Sequence, residues 1–305
     1  MYLVCGEALF DVFVQGDAQD HLALVAHAGG SPFNVAIGLS RLGHRAALFT
    51  GLSTDVFGRR LHDQLGREGV CRDYVVDKAN RTTLVLVALN AAGVPHYSFY
   101  GDSCADRVLV HTDLPTLRDD IRGLHFGSYT LVIDPTASTY FALAQRECGR
   151  RLISLDPNVR PTVESDMQVW RDRLERWRGV ADVIKVSEED LALLHPGCEL
   201  NDIASAWLQG PTQLLVVTRG GAGALGYSTQ GCVALPAPEV SVVDTVGAGD
   251  SFQAALLSQL HDRAALRDTA TSLEQLRRVL AYAASAAAIT CSRLGSDPPY
   301  AHEMT

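Results

Sequence analysis

The sequence predicts an α/β protein: a mostly parallel central sheet flanked by helices, with a small β-sheet lid. Three observations lead there. Short apolar runs bounded by turn residues alternate with stretches of helical periodicity, which is the rhythm of βαβ units. Two segments break that rhythm and read as β structure of a different kind. The chain has 305 residues, 47% of them hydrophobic and 20% charged, enough to bury a sizeable core in one large soluble domain or two smaller ones.

Taken in order, YLVCG at 2–6 reads as a strand, and residues 9–28 carry no helix signal. FNVAIGLSRLG at 33–43 is a helix, AALFTG at 46–51 a strand, and FGRRLHDQLGREG at 57–69 a second helix. RTTLVLVALNAAGVPHYSFY at 81–100 alternates polar and apolar residues around the turn-like NAAG, as a hairpin does. LHFGS, RLISLD, VIKVS and LLVVT follow as further buried strands, and RDRLERWR at 171–178 interleaves both charges like a solvated helix face. ALGYSTQGCVALPAP at 224–238 reads as a strand pair with turns, and EVSVVDT at 239–245 as a β-branched strand. A helix starting near Asp250 carries Phe252, Ala255, Leu256 and Leu260 at helical spacing, and AYAASAAAITC at 281–291 is a close-packed internal helix too short to span a bilayer. The expected division is a body of residues 1–8, 29–80 and 101–305, and an antiparallel β lid of 9–28 and 81–100.

A formal charge of −9 and the lack of a long Lys/Arg run argue against a nucleic-acid partner. Seven cysteines, an odd number with no CxxC pair, point to reduced thiols and a cytoplasmic protein rather than a disulfide framework. The N-terminal MYLVCGEALFDVF carries Glu7 and Asp11 within its apolar stretch and has no basic flank, so neither a signal peptide nor a membrane segment is expected.

The chemistry concentrates in VDTVGAGDSF at 243–252. Small residues leading into a helix expose unpaired N–H groups and the positive end of the helix dipole, which together favour an anion. Asp250 beside that anion is either an ordinary helix cap or a group that takes a proton. GAGALG at 221–226 matches the dinucleotide pattern GxGxxG, but a strand pair rather than a helix follows it, contrary to what that mechanism needs. VGAGDS lacks the lysine of a P-loop.

AGGSPFNVAIGLSRLG at 28–43 and DTVGAGDSFQAALL at 244–257 together resemble the two signatures of the ribokinase-like (PfkB) family of sugar kinases. CGEALFDVF, DPNVRP at 156–161 and VTRGGAG at 217–223 extend the resemblance over almost the whole chain, most closely toward bacterial fructokinases. The resemblance implies a ribokinase-like fold and an ATP-dependent kinase with Mg²⁺. Fructose phosphorylated to its 6-phosphate is the first substrate expectation; 2-keto-3-deoxygluconate, ribose or a nucleoside is the alternative. A nucleoside would want an aromatic platform, for which Phe99 and Tyr100 are candidates, and a non-catalytic sugar sensor would need a lost base or a spoiled anion hole.

Carried onto this chain, the resemblance makes Gly247, Ala248 and Gly249 the anion hole for the transferring phosphoryl group and Asp250 the general base. It assigns the sugar to Asp11, Gly29, Gly30, Ser31, Asn34 and Arg160, with Ser31 standing where some relatives have lysine. The bland alternatives are an ordinary turn for Gly29 and Gly30, a helix cap for Asn34, and a surface ion pair for Arg160, and the full motif weighs against the first two. The nucleotide falls to Ser187, Thr218, Gly220, Gly223 and Gly295. Where relatives carry an NxxE element for the magnesium water shell, this chain has Ser187 and Asp190, leaving Glu189 and Asp190 as the carboxylates. Asp244 sits where many relatives hold a potassium ion, or else only ties down the turn. Exposed lid strands offer a homodimer surface, as in dimeric relatives.

Overall fold

The computed structural model describes residues 1–18, 21–89 and 95–304. The first half of the chain runs β1 (Tyr2–Cys5), β2 (Leu9–Ala18), β3 (His21–Gly29), α1 (Ser31–Arg41), β4 (Ala46–Ser53), α2 (Val56–Arg67), β5 (Val75–Lys78), β6 (Leu84–Leu89), β7 (Pro95–Tyr100), β8 (Gly123–Gly127) and α3 (Thr136–Glu147). The second half runs β9 (Leu152–Asp156), α4 (Met167–Arg178), β10 (Val183–Ser187), α5 (Glu188–Leu194), α6 (Leu200–Trp207), β11 (Leu214–Thr218), β12 (Ala224–Ser228), β13 (Gly231–Leu235), α7 (Ala248–Gln259), α8 (Arg263–Ala270) and α9 (Leu273–Cys291).

Among the described residues the strands form two sheets. The larger has the order β13-β12-β11-β10-β9-β8-β1-β4-β5 and is parallel except for β12 and β13, which finish one side as antiparallel strands. Helices cover both faces, so successive strand residues go to different cores: Val4 and Leu48 pack with Phe33, Leu256 and Leu280, while Leu3 and Phe49 pack with Tyr140, Trp170 and Trp177. Full burial of one such large apolar side chain is worth about 1.5–3 kcal/mol, which is why these runs tolerate few polar residues. Charged exceptions are Asp156, which finishes β9, and Lys185, in the middle of β10, both buried.

The smaller sheet has the order β3-β2-β6-β7. Its two ribbons, β2–β3 and β6–β7, are antiparallel as expected, but β2 and β6 join them in parallel, with Phe10 opposite Leu84 and Val12 opposite Leu86. The purely antiparallel flap is therefore corrected: both ribbons leave the body in the same direction, so their first strands meet side by side. The NAAG turn at 90–93 lies outside the described residues.

A second correction concerns EVSVVDT. No strand forms there; after β13 the chain is irregular and largely exposed up to the start of α7. The segment finds no strand to pair with, and the N–H groups of Val243 and Asp244 instead donate to the Cys291 carbonyl at the end of α9, at 2.8 and 3.3 Å. The helix after it begins at Ala248, with Gly247 at its cap, two residues before the expected start.

Candidate active site

Two cavities open at the carboxyl ends of the parallel strands, and one turn separates them. The first, about 530 Å³, lies between the body and the smaller sheet; Asp11, Phe13, Val85, Val87, Tyr97 and Phe99 of that sheet form its roof. Glu7, Gly30, Ser31, Asn34, Arg160, Gly247, Gly249 and Asp250 belong to its floor. The second, about 540 Å³, is bounded by Glu189, Thr218, Gly220, Gly223, Val240, Val242, Ala248 and Gly249, and by Ala284, Ala287 and Ala288 of α9. Thr245 and Gly249 line both.

The dividing turn is built by local geometry. Gly247 has φ 77°, and a Cβ placed on it would lie 2.1 Å from the Ser296 hydroxyl, so only glycine fits without displacement. With Gly247 as cap, the first N–H groups of α7 have no partner within the helix; that of Ala248 makes a long turn contact, 3.3 Å to the Thr245 carbonyl, and such a helix start favours an anion. Asp250 is not the cap. It sits inside the first turn, and its Oδ2 accepts a hydrogen bond of 2.8 Å from Asn34 Nδ2. Asn34 belongs to α1, which crosses α7 closely; a Cβ on Gly38 would come 2.7 Å from that of Ala254. Asn34 therefore orients the carboxylate and does not cap its own helix, whose cap is Gly30.

Burial pushes the Asp250 carboxyl up, while the Asn34 hydrogen bond and the Lys185 charge pull it back. Asp11 is pushed up to about 6, first by burial, with Arg160 opposing and Asp250 adding to the rise. Arg160 faces the cavity with its Nη1 on the carbonyls of Asn158 and Val159, at 3.3 and 3.0 Å, rather than in a surface ion pair.

Several expected residues stand behind the walls. Gly29 ends β3 against Asp11, where a Cβ would lie 2.6 Å from the carboxylate oxygen. Ser187 caps α5, accepting from the Asp190 N–H at 2.9 Å, and lines neither cavity. Asp190 is buried, accepts from the Val159 N–H at 3.2 Å, and is pushed up to about 6 by burial and the neighbouring Asp156 charge. Asp244 ties two turns together, accepting from Val246 N–H at 3.1 Å and Gly295 N–H at 2.8 Å. Tyr100 does not reach the first cavity, and Phe99 is turned edge-on toward Tyr129. GAGALG forms a short 3-10 turn followed by β12, so no helix opens there for a dinucleotide.

Sequence reading missed three charged residues. Glu7 is 2% exposed, takes the Ser31 N–H on Oε1 at 3.1 Å, and is pushed up to about 8 by burial. Lys185 and Asp156 form a buried pair with Nζ to Oδ2 of 2.8 Å. The available signal was the charge itself, set in or at the end of an apolar strand run.

The sequence pattern of pfkB family carbohydrate kinases matches residues 4–303. The chain belongs to the pfkB family of carbohydrate kinases. A fructokinase of Rhizobium leguminosarum bv. trifolii is 38% identical over 260 residues, covering 85% of this chain and 79% of that protein. The fold is similar to a fructokinase with bound ATP from Xylella fastidiosa (TM-score 0.88, 30% identity, 96% of this chain and 92% of that one). It is also similar to a double mutant of the Vibrio cholerae O395 fructokinase in a fructose, ADP and potassium ion bound form (TM-score 0.82, 28% identity, 97% and 93% covered). In this member of the family two cavities meet at a turn that carries both backbone N–H groups without a helical partner and a carboxylate.

Proposed function

We propose that this pfkB family member is an ATP-dependent fructokinase that transfers the γ-phosphoryl group to O6 of fructose. The observation that carries the reading is the turn common to both cavities: Thr245 and Gly249 line each, and Asp250, held by Asn34, faces the first. The sugar occupies the first cavity and the nucleotide the second. Gly30, Asn34 and Asp11 bind sugar hydroxyls; Thr218, Gly220 and Gly223 border the phosphates and ribose, and the base lies between α9 and the exposed valines 240 and 242.

The transfer balances simply. Asp250 accepts the proton of the sugar hydroxyl, the new bond forms from that oxygen to the γ-phosphorus, and the bond from phosphorus to the β–γ bridging oxygen breaks to release ADP. The N–H groups of Gly247, Ala248 and Gly249 hold the negative charge on the transferring group. The smaller sheet acts as a lid that keeps water from competing with the sugar.

Mg²⁺, when bound with the nucleotide, would neutralise phosphate charge. Glu189, on the wall of the second cavity, and Asp190 behind it would take its water shell, and Ser187 keeps that helix start in place. Among the described residues no group of three or more His, Cys, Asp or Glu side chains gathers into a metal cage, which fits an ion held mainly by phosphate and water. Potassium would sit at Asp244, near Gly295 and the buried Ser296 hydroxyl, which has no partner. A homodimer would use the outer lid, where Leu22 and Leu24 of the edge strand are 62% and 53% exposed.

The test is ATP turnover with fructose, ribose, 2-keto-3-deoxygluconate and nucleosides, with and without K⁺, for the native chain and Asp250→Asn. Turnover with fructose, lowered about 10²–10⁴-fold in the variant, is expected. A clear preference for 2-keto-3-deoxygluconate would reassign the substrate and make Arg160 the carboxylate partner. Sugar binding without turnover would favour a sensor.

A further inference from the structure

Lys185 lies on neither cavity wall, yet it sits directly beneath the turn that divides them. A Cβ built on Gly249 would come 3.3 Å from its Nζ, closer than ordinary packing allows. The side chain rises from β10 and is 5% exposed; Asp156 at the end of β9 is 1% exposed and holds the ammonium at 2.8 Å. Only one oxygen of Asp156 is used; the other, Oδ1, is buried with no partner among the described residues. Burial alone would lower the lysine's affinity for its proton, but the charge and hydrogen bond of Asp156 outweigh that and raise it, so the ammonium keeps its charge.

A buried ion pair is a poor device for stability, because well-packed neutral side chains often serve as well. What it does supply is a fixed charge at a chosen point. We propose that Lys185, held by Asp156, is a positioning residue that places a permanent positive charge behind the Gly247–Gly249 turn, adding to the backbone N–H groups that stabilise the transferring phosphoryl group. The charge acts through the turn and touches neither ligand. It counts most in the transition state, as negative charge shifts onto the departing β–γ bridging oxygen, and less in either ground-state complex. This rests on the kinase reading above.

The test compares the wild type with the double variant Lys185→Met, Asp156→Asn, which removes the charges together and strands neither. Melting temperature, kcat, the KM for sugar and for ATP, and binding of aluminium fluoride with ADP, Mg²⁺ and the sugar are measured. The expected result is a fold of near-native melting temperature, both KM values within about twofold, and kcat lowered on the order of ten- to a hundredfold, with the aluminium fluoride complex weakened similarly and ADP binding retained. Unchanged kcat, or a loss matched by rising KM or by a fall in melting temperature, assigns the pair to packing and overturns the proposal. Should the double variant not fold, Lys185→Arg decides: retained turnover supports the charge, and lost turnover in a folded protein refutes it. A wild type that ignores fructose but phosphorylates another sugar refutes the substrate reading alone, and the comparison then runs on that sugar; one that phosphorylates no sugar sinks both.

Discussion

Glu7 has its acid form favoured by burial to a degree that reaches the whole protein's response to pH. Its carboxyl is pushed up to about 8 in the fold, against 4.5 for a free side chain. Between about pH 4.5 and 8 the native state therefore keeps a proton that the unfolded chain has lost, and stability falls as pH rises through that window. Glu7→Gln keeps the neutral form without titrating, so its melting temperature should gain on the wild type from pH 5 to pH 9. Parallel curves across that range would mean that Glu7 does not titrate as described. Asn34 governs the neighbouring carboxyl in the opposite sense. Its hydrogen bond at 2.8 Å holds the Asp250 affinity for protons down. Asn34→Ala should move the acidic limb of the kcat/KM profile to higher pH, because the base is then protonated over more of the range. An unmoved limb would separate Asn34 from the base.

At the level of elements, the start of α7 depends on one backbone position. Gly247→Ala adds a methyl group where φ is 77° and the Ser296 side chain stands 2.1 Å away. The backbone strain alone is about 1–2 kcal/mol. The variant should melt lower and turn over more slowly, and adding Ser296→Gly should recover part of the melting temperature by removing the clash; no recovery would place the damage elsewhere. The motifs at 28–43 and 244–257 were legible because their chemistry is local: a glycine turn and a polar residue on the first helical turn are written in adjacent letters. The strands from YLVCG to LLVVT were legible because two-sided burial leaves an unbroken apolar run. EVSVVDT misled for the same reason, since its valines are apolar without a strand partner; Val240 and Val242 face the second cavity instead. The parallel meeting of β2 and β6 joins segments far apart in sequence, and no local pattern records it. Lys185 and Asp156 were in view as letters, but their pairing is a property of adjacent strands, which only the assembled sheet reveals.

Over the whole molecule, the parallel sheet works as a platform whose carboxyl edge collects groups from distant parts of the chain: Glu7 after β1, Arg160 after β9, Lys185 on β10 and Asp250 on α7. No helix of the described residues is long and apolar enough to cross a membrane, and all seven cysteines are unpaired. The two cavities share Thr245 and Gly249 of the dividing turn, and neither is an enclosed chamber. With sugar in the first cavity and nucleotide in the second, as proposed, each ligand would have its own chamber, and binding in either order is the expectation. Double-reciprocal plots should intersect, a non-reactive sugar analogue should compete with sugar but not with ATP, and ADP should behave in the converse way. An analogue that inhibited uncompetitively against ATP would mean that the nucleotide must arrive first. Two chambers that share only part of one wall would also let one product leave while the other stays, which makes the slower of the two departures a natural ceiling on turnover.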